Sequence, residues 1–195
     1  MKLVLATNNQ HKLVEFCRIL EPIGIEVLSQ KEAGVSVNPD ENGMTFADNA
    51  KIKAMAVYEA CGLPCVADDS GLCVDALNGR PGVQSARYMG EDTPQEIKNA
   101  ALLHEVSGVA KEERGAQFVS AICCVLDKDN ILECEGICRG WIGYEPLGEG
   151  GFGYDPIFMV GDRSYSQLSG EEKDAISHRG VALRVLHDML KEKLK

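Results

Sequence analysis

The chain has 195 residues, of which 45% are hydrophobic and 26% charged, as expected for a globular protein with a sizeable hydrophobic core. Its formal net charge of -10 argues against a nucleic-acid partner, because nucleic-acid-binding proteins cluster Lys and Arg against phosphates. No apolar run approaches the roughly 20 residues of a membrane span. The N-terminal apolar stretch is too short for a signal peptide, so we expect a cytoplasmic protein without a membrane partner.

The first third of the chain predicts alternating strands and helices. A continuous apolar run predicts a buried strand over Lys2 to Ala6. The polar loop from Thr7 to Lys12 leads into a helical pattern that ends at Gly24, and Ile25 to Leu28 predict a second strand. Thr45 then begins a predicted helix in a capping-box pattern.

The predicted helix from Thr45 ends at Gly62. The apolar residues Cys65-Val66-Ala67 predict a short strand that ends at Asp68-Asp69. Further on, Thr93 followed by a proline predicts a capped helix start. Together these patterns alternate strand and helix through the first half of the chain.

The second half of the chain predicts a hairpin followed by two helices. Ala116 to Leu126 and Ile131 to Ile142 read as long strands joined by a turn. One helix is predicted to open at Ser169, and a final amphipathic helix to run from Val181 to Leu194. The pattern predicts an α/β fold with a mixed β-sheet flanked by helices, in a single domain over residues 1–195.

The eight cysteines do not have the spacing of a zinc site or a disulfide framework. There is no Cys-x-x-Cys pair, and the closest separated pairs, Cys61/Cys65 and Cys134/Cys138, are four residues apart. We expect buried small hydrophobic residues rather than metal ligands.

The loop from Thr7 to Lys12 is the first stretch that could form a functional site. A helix N-terminus presents backbone N–H groups and a partial positive charge, which suits an anion. Thr7, Asn8, Asn9 and Lys12 add donors and one full cation, whereas Gln10 and His11 occupy the loop without firm roles of their own. The alternative is an ordinary capped turn with a solvated lysine.

The segment Asp68-Asp69-Ser70-Gly71 is the second stretch that could form a functional site. Two carboxylates at the end of a buried strand are costly unless they are hydrogen-bonded or bound to metal. Ligands of α/β sheets sit at strand ends, and Mg²⁺ prefers one or two carboxylates together with phosphate oxygens. A turn with exposed aspartates is the alternative, and the upstream pair Asp40-Glu41 reads by itself as a solvated loop.

A glycine-rich segment from Gly148 to Asp155 is the third. It contains the G-x-G-x-x-G spacing of dinucleotide-binding proteins, but Pro156 follows closely and no helical pattern begins there. The backbone could approach a ligand closely, with Phe152 and Tyr154 available to stack on a flat ring. A structural glycine turn fits equally well.

Lys173 and the triplet Ser177-His178-Arg179 are the fourth candidate stretch. They fall at the junction of two predicted helices, where cations could bind phosphate or read a base edge. A solvated helix junction is the alternative.

Six motifs together resemble one enzyme family. They are Thr7-Asn8-Asn9-x-x-Lys12, Thr45-Phe46-x-x-Asn49-Ala50, Ala67-Asp68-Asp69-Ser70-Gly71-Leu72, Pro81-Gly82-x-x-Ser85-Ala86-Arg87-Tyr88, Gly151-Phe152-Gly153-Tyr154-Asp155-Pro156 and Ser177-His178-Arg179. In this order they closely resemble the inosine/xanthosine triphosphate pyrophosphatases, and most of all the bacterial branch. The resemblance covers nearly the whole chain.

The resemblance implies two α/β lobes around an elongated mixed sheet, with a central substrate cleft, in a homodimer. It also implies Mg²⁺-dependent hydrolysis of ITP, dITP and XTP to the monophosphate and pyrophosphate. Asp69 looks like the proton acceptor and a metal ligand, and Glu41 like the second metal ligand, although Asp40 adjoins it. The residues that match substrate-binding positions are Thr7, Asn8, Asn9, Gln10, His11, Lys12, Ser70, Phe152, Gly153, Tyr154, Asp155, Lys173, His178 and Arg179.

These positions suggest a mechanism and leave alternatives open. We expect water to attack the α-phosphorus with Asp69 as base, while Asp68 orients that carboxylate or binds metal through water. A donor such as Arg179 would favour a 6-oxo purine over adenine. The alternatives are a pyrophosphatase of the septum-associated type, a non-catalytic nucleotide sensor and a phosphatase that releases orthophosphate. The septum-associated family has a different opening motif, which is absent here.

Overall fold

The computed structural model describes residues 1–193, and in the first half of the chain strands and helices alternate as predicted. The strands are β1 (Lys2–Leu5), β2 (Glu26–Ser29), β3 (Cys65–Val74), β4 (Gly115–Asp127), β5 (Asn130–Ile142), β6 (Phe158–Val160) and β7 (Arg163–Ser164). The α-helices are α1 (Gln10–Leu20), α2 (Phe46–Cys61), α3 (Gln95–Glu105), α4 (Gly170–Ile176) and α5 (His178–Lys193). Leu194, which the sequence assigned to the final helix, lies outside the described residues.

The strands form a seven-stranded mixed sheet in the order β2-β1-β3-β4-β5-β6-β7. Strand β1 pairs in parallel with β2 and β3, whereas β6 pairs antiparallel with β5 and β7. Leu3 and Leu5 pack into one core cluster and Val4 into another, because successive side chains of a strand point to opposite faces. The structure thus confirms the predicted α/β fold with a mixed sheet.

The chain divides into two compact units. Unit 1 comprises Met1–Asp69, Ser120–Gly136 and the described residues from His178 onward, and unit 2 comprises Ser70–Val119 and Ile137–Ser177. Each unit has its own core. The core of unit 2 is rich in aromatic rings, with the Phe118 and Phe158 centroids 4.8 Å apart in an edge-to-face contact. No helix in residues 1–193 combines the length and apolar character that a membrane crossing requires.

Helix α2 begins and ends as the sequence predicts. The Thr45 hydroxyl accepts from the backbone N–H of Asp48 at 3.1 Å, and the Asp48 carboxylate accepts from the N–H of Thr45 at 3.0 Å. This reciprocal capping box satisfies two N–H groups that the helix cannot pair internally. Gly62 ends the helix in the left-handed region at φ 66°, a conformation that glycine adopts without steric cost.

Three predicted boundaries are wrong. Strand β3 does not end at Asp68-Asp69 but continues to Val74, because partners from other segments pair with the two aspartates within the strand. Thr93 does not cap α3; its hydroxyl donates to the carbonyl of Met89 at 2.7 Å, and the helix begins after Pro94. Helix α5 begins at His178 rather than at Val181.

Candidate active site

Asp68 is fully buried in unit 1 and is neutralised by two cations. Its carboxylate lies 2.8 Å from Nζ of Lys12 and 2.9 Å from Nη2 of Arg179, and it accepts a hydrogen bond from the hydroxyl of Ser120. Burial alone would raise the pKa of Asp68, but Arg179 and Lys12 outweigh it and hold that pKa well below its usual value. Asp68 is therefore a fixed anion inside the unit.

Arg179 connects Asp68 to a second buried carboxylate. Its guanidinium is 1% exposed and also donates to Glu15, on α1. Burial opposes the charge, but Asp68 and Glu15 outweigh it and raise the pKa of Arg179. The preceding residue, His178, is buried in the same first turn of α5. The structure thus places this predicted phosphate- or base-binding pair in the interior of unit 1.

Asp69 points to a different set of partners. Its Oδ1 lies 2.7 Å from Nζ of Lys53, and its Oδ2 accepts from Nδ2 of Asn49 at 3.3 Å. Burial raises the pKa of Asp69, and the attraction of Lys53 only partly offsets this effect. A carboxylate with a raised pKa is a better proton acceptor, which suits the role that the resemblance implied.

Glu41 and Asp69 share the ammonium of Lys53. Nζ of Lys53 lies 3.0 Å from Oε2 of Glu41, and the Glu41 side chain is 28% exposed. Burial would raise the pKa of Glu41, but Lys53 outweighs it and lowers that pKa. The structure therefore brings together the two carboxylates that the resemblance implied as metal ligands.

The residues around Lys53 fit a divalent cation in number and chemistry. Within residues 1–193, no group of three or more His, Cys, Asp or Glu side chains forms a complete metal centre. Mg²⁺ does not require one, since it binds through one or two carboxylates and takes its other oxygens from water and substrate phosphates. Glu41 and Asp69 are such a pair, held around one positive charge.

Lys53 and Asn49 are functional candidates to which the sequence reasoning gave no role. They lie four residues apart on α2, so they share a helix face, and both contact Asp69. This spacing is the signal in the sequence that could have identified Lys53. Asn49 lies in the motif that begins at Thr45, and Lys53 follows it by about one helical turn. A lysine on a helix is usually solvated, so composition alone could not select it.

The loop from Thr7 to Lys12 forms the start of α1, as predicted. Asn9 caps the helix, and its Oδ1 accepts from the backbone N–H groups of His11 at 2.9 Å and Lys12 at 3.3 Å. The Thr7 hydroxyl accepts from the N–H of Asn9 at 3.2 Å. Two of the N–H groups that we expected to bind an anion are thus bonded to a side chain, while Asn8 and Gln10 are exposed.

In unit 2, Asp155 and Lys173 hold the glycine-rich loop. The Asp155 carboxylate accepts from Nζ of Lys173 and from the backbone N–H of Phe152, at 2.7 and 2.8 Å. The same ammonium lies 4.8 Å from the centroid of the Phe152 ring, a cation–π contact. Gly151 is required here, since φ is +75° and a Cβ would overlap the Asp155 carboxylate. Phe152 is half-buried.

Two further residues of unit 2 fasten this loop. The Tyr154 hydroxyl donates to the carbonyl of Ser85 at 2.9 Å, and Nδ2 of Asn99 donates to the carbonyl of Gly153 at 3.2 Å. Tyr154 is only 4% exposed, so its ring lies in the core and is not available to stack on a ligand as the sequence suggested. Ser70, half-buried on β3, is the first residue of this unit.

Comparisons with known proteins find relatives that match nearly the whole chain. A model of the Ham1 family matches residues 3–189. The dITP/XTP pyrophosphatases of Bacillus subtilis and Haemophilus influenzae are each 44% identical to the chain, over 96% of both chains for the first and 97% and 98% for the second. A solved HAM1 protein from Coxiella burnetii superposes with a TM-score of 0.88 at 39% identity, covering 98% of this chain and 99% of that one. The Ham1 protein of Staphylococcus aureus gives 0.87 at 38% identity, over 99% and 100%.

Proposed function

Because the chain belongs to the Ham1 family, we propose that it hydrolyses deaminated purine nucleoside triphosphates, namely ITP, dITP and XTP, to the monophosphate and pyrophosphate. The names of relatives at 44% identity over nearly the full length support this assignment. Such an activity cleanses the nucleotide pool and keeps these bases out of DNA and RNA. The observation that carries the proposal is the pairing of Asp69 with Glu41 around Lys53.

Asp69 takes the proton of the attacking water in this mechanism. Water attacks the α-phosphorus, the bond from that phosphorus to the bridging oxygen breaks, and pyrophosphate leaves with the electron pair. The raised pKa of Asp69 suits proton transfer, and Asn49 and Lys53 fix the direction in which its carboxylate points. Asp68 keeps Lys12 and Arg179 in place instead of transferring a proton itself.

Mg²⁺ is the cofactor that we propose, with Glu41 and Asp69 as its protein ligands. Bound there, it would neutralise phosphate oxygens and acidify water. Lys53 already lies between the two carboxylates at 3.0 and 2.7 Å, so it can remain as their partner or turn towards a phosphate. Lys12 and the exposed part of the Thr7 to Lys12 loop supply the further donors for the phosphates.

The glycine-rich loop is our candidate for binding the base. Phe152 is half-buried, Lys173 contacts its ring and Asp155 accepts from its backbone N–H. Stacking on a rigid ring favours a planar base, whereas hydrogen bonds around it decide which base is accepted. The remaining substrate-binding positions that we propose are Ser70, Gly153, Tyr154, His178 and Arg179. The side chains of Tyr154, His178 and Arg179 are buried, so they would act by holding neighbouring groups in place. We also propose that the protein is a homodimer.

One assay tests the reaction. The protein is incubated with Mg²⁺ and with ITP, XTP, GTP, ATP or dUTP in turn, and pyrophosphate and orthophosphate are measured separately. We expect pyrophosphate from ITP and XTP and far less from the other three. Orthophosphate would indicate a phosphatase, preference for dUTP would indicate a pyrimidine enzyme, and binding of ITP without product would indicate a sensor.

Replacing Asp69 by asparagine tests the mechanism within that assay. Asp69→Asn keeps the shape of the side chain but cannot accept the proton, so we expect kcat to fall by about 100-fold or more. Asp92→Asn is the matched control, because Asp92 is an exposed loop aspartate and the chemical change is the same. Near-normal turnover in Asp69→Asn would refute its assignment as the base, provided that circular dichroism shows a folded variant.

A further inference from the structure

Cys61 and Cys65 bring their sulfur atoms together at the turn between α2 and β3. Cys61 is the last residue of α2 and Cys65 the first of β3, and their Sγ atoms are 3.6 Å apart. Gly62, in the left-handed conformation, reverses the chain between them. Sγ of Cys65 also lies 3.1 Å from the carbonyl of Leu63, within the same turn. The pair is thus formed by local structure within unit 1 and not by a chance approach of distant segments.

Solvent reaches the two thiols unequally. Cys61 is half-buried at the end of its helix, whereas Cys65 is fully buried. Burial also raises the pKa of the Cys65 thiol, which makes it a poor first nucleophile. An oxidant therefore meets Cys61 first, with a second thiol already beside it.

Adjacency in the sequence does not produce such a pair elsewhere in the fold. Cys123 and Cys124 are neighbours on β4, yet Cys123 packs into one core cluster of unit 1 and Cys124 into the other. Their side chains point to opposite faces of the strand. Spacing across a turn, as at Cys61 and Cys65, is what brings two sulfurs to the same place.

We propose that Cys61 and Cys65 form a thiol-oxidation site, at which a peroxide converts the pair to an intrachain disulfide. The sulfur of Cys61 attacks one peroxide oxygen, the O–O bond breaks, and Cys61 becomes a sulfenic acid as water leaves. The sulfur of Cys65 then attacks the Cys61 sulfur, the S–O bond breaks, and a second water leaves with the Cys65 proton. Two thiols are oxidised and one peroxide is reduced to two waters.

The approach required for the bond is small. A disulfide holds its sulfurs about 2.0 Å apart, so the thiols must approach by roughly 1.5 Å through side-chain rotation and adjustment of the turn. Gly62 and Leu63 in that turn are exposed, which leaves room for the adjustment. The proposal concerns thiol chemistry and does not rest on the proposed nucleotide substrate.

Peptide mass spectrometry of the full chain tests the site. Reduced protein is treated with a near-stoichiometric amount of hydrogen peroxide. It is then unfolded in denaturant, so that N-ethylmaleimide blocks buried as well as exposed thiols, and digested with trypsin and endoproteinase Asp-N. Cleavage after Lys53 and before Asp68 isolates peptide 54–67, which contains both cysteines and excludes Cys73. We expect to detect this peptide without bound maleimide, and with a mass lower than that of the reduced peptide by a pair of hydrogen atoms. After reduction with a phosphine it should take up two maleimides.

Three variants separate the roles of the thiols. In Cys65→Ser, Cys61 should stop at the sulfenic acid and be trapped by dimedone, and in Cys61→Ser the Cys65 thiol should remain available to maleimide. Cys17→Ser, which removes another half-buried cysteine, should leave the disulfide intact. The proposal is overturned if both cysteines of peptide 54–67 still carry maleimide when other cysteines are oxidised. It is also overturned if wild-type Cys61 is trapped by dimedone while Cys65 stays reduced.

Discussion

Asp68 and Asp69 follow one another in β3, yet they contact different cations. Strand geometry sends successive side chains to opposite faces, so Asp68 meets Lys12 and Arg179, whereas Asp69 meets Lys53. Burial raises the pKa of Asp69 more than Lys53 lowers it, whereas Arg179 and Lys12 outweigh burial and hold the pKa of Asp68 well below its usual value. The resemblance had implied a proton acceptor at Asp69, and we expected a supporting role for Asp68. The structure shows that the two carboxylates have different electrostatic surroundings.

The contacts of Arg179 change the role that we assign to it. From the sequence we expected a donor that reads the 6-oxo group of the base. Its guanidinium is instead buried between Asp68 and Glu15, which favours a role in holding Asp68. Direct contact of Arg179 with the base stays a prediction.

Removing Arg179 should destabilise the protein strongly. Arg179→Ala leaves Asp68 and Glu15 buried without their shared cation, and breaking a buried pair of this kind costs about 3–5 kcal/mol. The free energy of unfolding is measured in urea by circular dichroism. Arg163→Ala is the matched control, because Arg163 pairs with Glu172 at the surface and should change that free energy far less. Equal effects of the two substitutions would contradict the structural role of Arg179.

The destabilisation should depend on pH in a defined direction. The folded-state pKa of Asp68 lies below its unfolded value of about 3.9, so its pairing contributes full stability above that pH. This contribution is lost as the pH falls through the folded-state pKa. The difference in unfolding free energy between wild type and Arg179→Ala should therefore shrink in acid below about pH 4, rather than grow.

At the scale of single elements, β3 and α2 position the carboxylate of Asp69, the base that we propose. Strand β3 carries Asp69, and one face of α2 carries Asn49 and Lys53. Residues that cap and end α2, Thr45 and Gly62, were predictable because capping depends on neighbouring residues only. The end of β3 was not predictable, because its aspartates stay inside the strand only when distant cations neutralise them.

The glycine-rich loop allows a test of a single turn. Gly151→Ala adds a Cβ that overlaps the Asp155 carboxylate and so disturbs its contacts with Phe152 and Lys173. We expect kcat/KM for ITP to fall roughly ten- to hundredfold, because displacement of a binding group by about an ångström has effects of this size.

Gly161→Ala controls for backbone strain in this test. Gly161 also has a positive φ, +62°, but an added Cβ would meet no atom within 4 Å. It should therefore share the conformational cost of about 1 kcal/mol without the loss of activity. If both variants lose activity equally, the overlap with Asp155 is not the cause.

At the scale of the whole molecule, charge is distributed unevenly. The chain has a net charge of -10, yet unit 1 places Lys12, Lys53 and Arg179 around its central aspartates. Local cations can bind an anion against an unfavourable global field, because the nearest charges dominate inside a weakly screened site. The composition alone therefore argued against a nucleic-acid footprint without excluding a phosphorylated substrate.

The proposed homodimer is tested on the intact protein. A chain of 21.2 kDa should elute from size exclusion with a light-scattering mass of about twice that value, if dimerisation follows the resemblance to the pyrophosphatase family. The measurement is made over a range of concentrations, with and without Mg²⁺. A mass of one chain at every concentration would contradict the proposal.

Local interactions made much of this protein predictable from its sequence. Hydrophobic periodicity and capping residues predicted most of the elements, and six ordered motifs predicted the family. Tertiary structure alone decided which charges meet. Lys53 pairs with both Asp69 and Glu41, and β3 continues through Asp68 and Asp69. The side chains of Arg179 and Tyr154 are buried. The reason is that buried charges are tolerated only with partners, and those partners come from distant segments that no local pattern identifies.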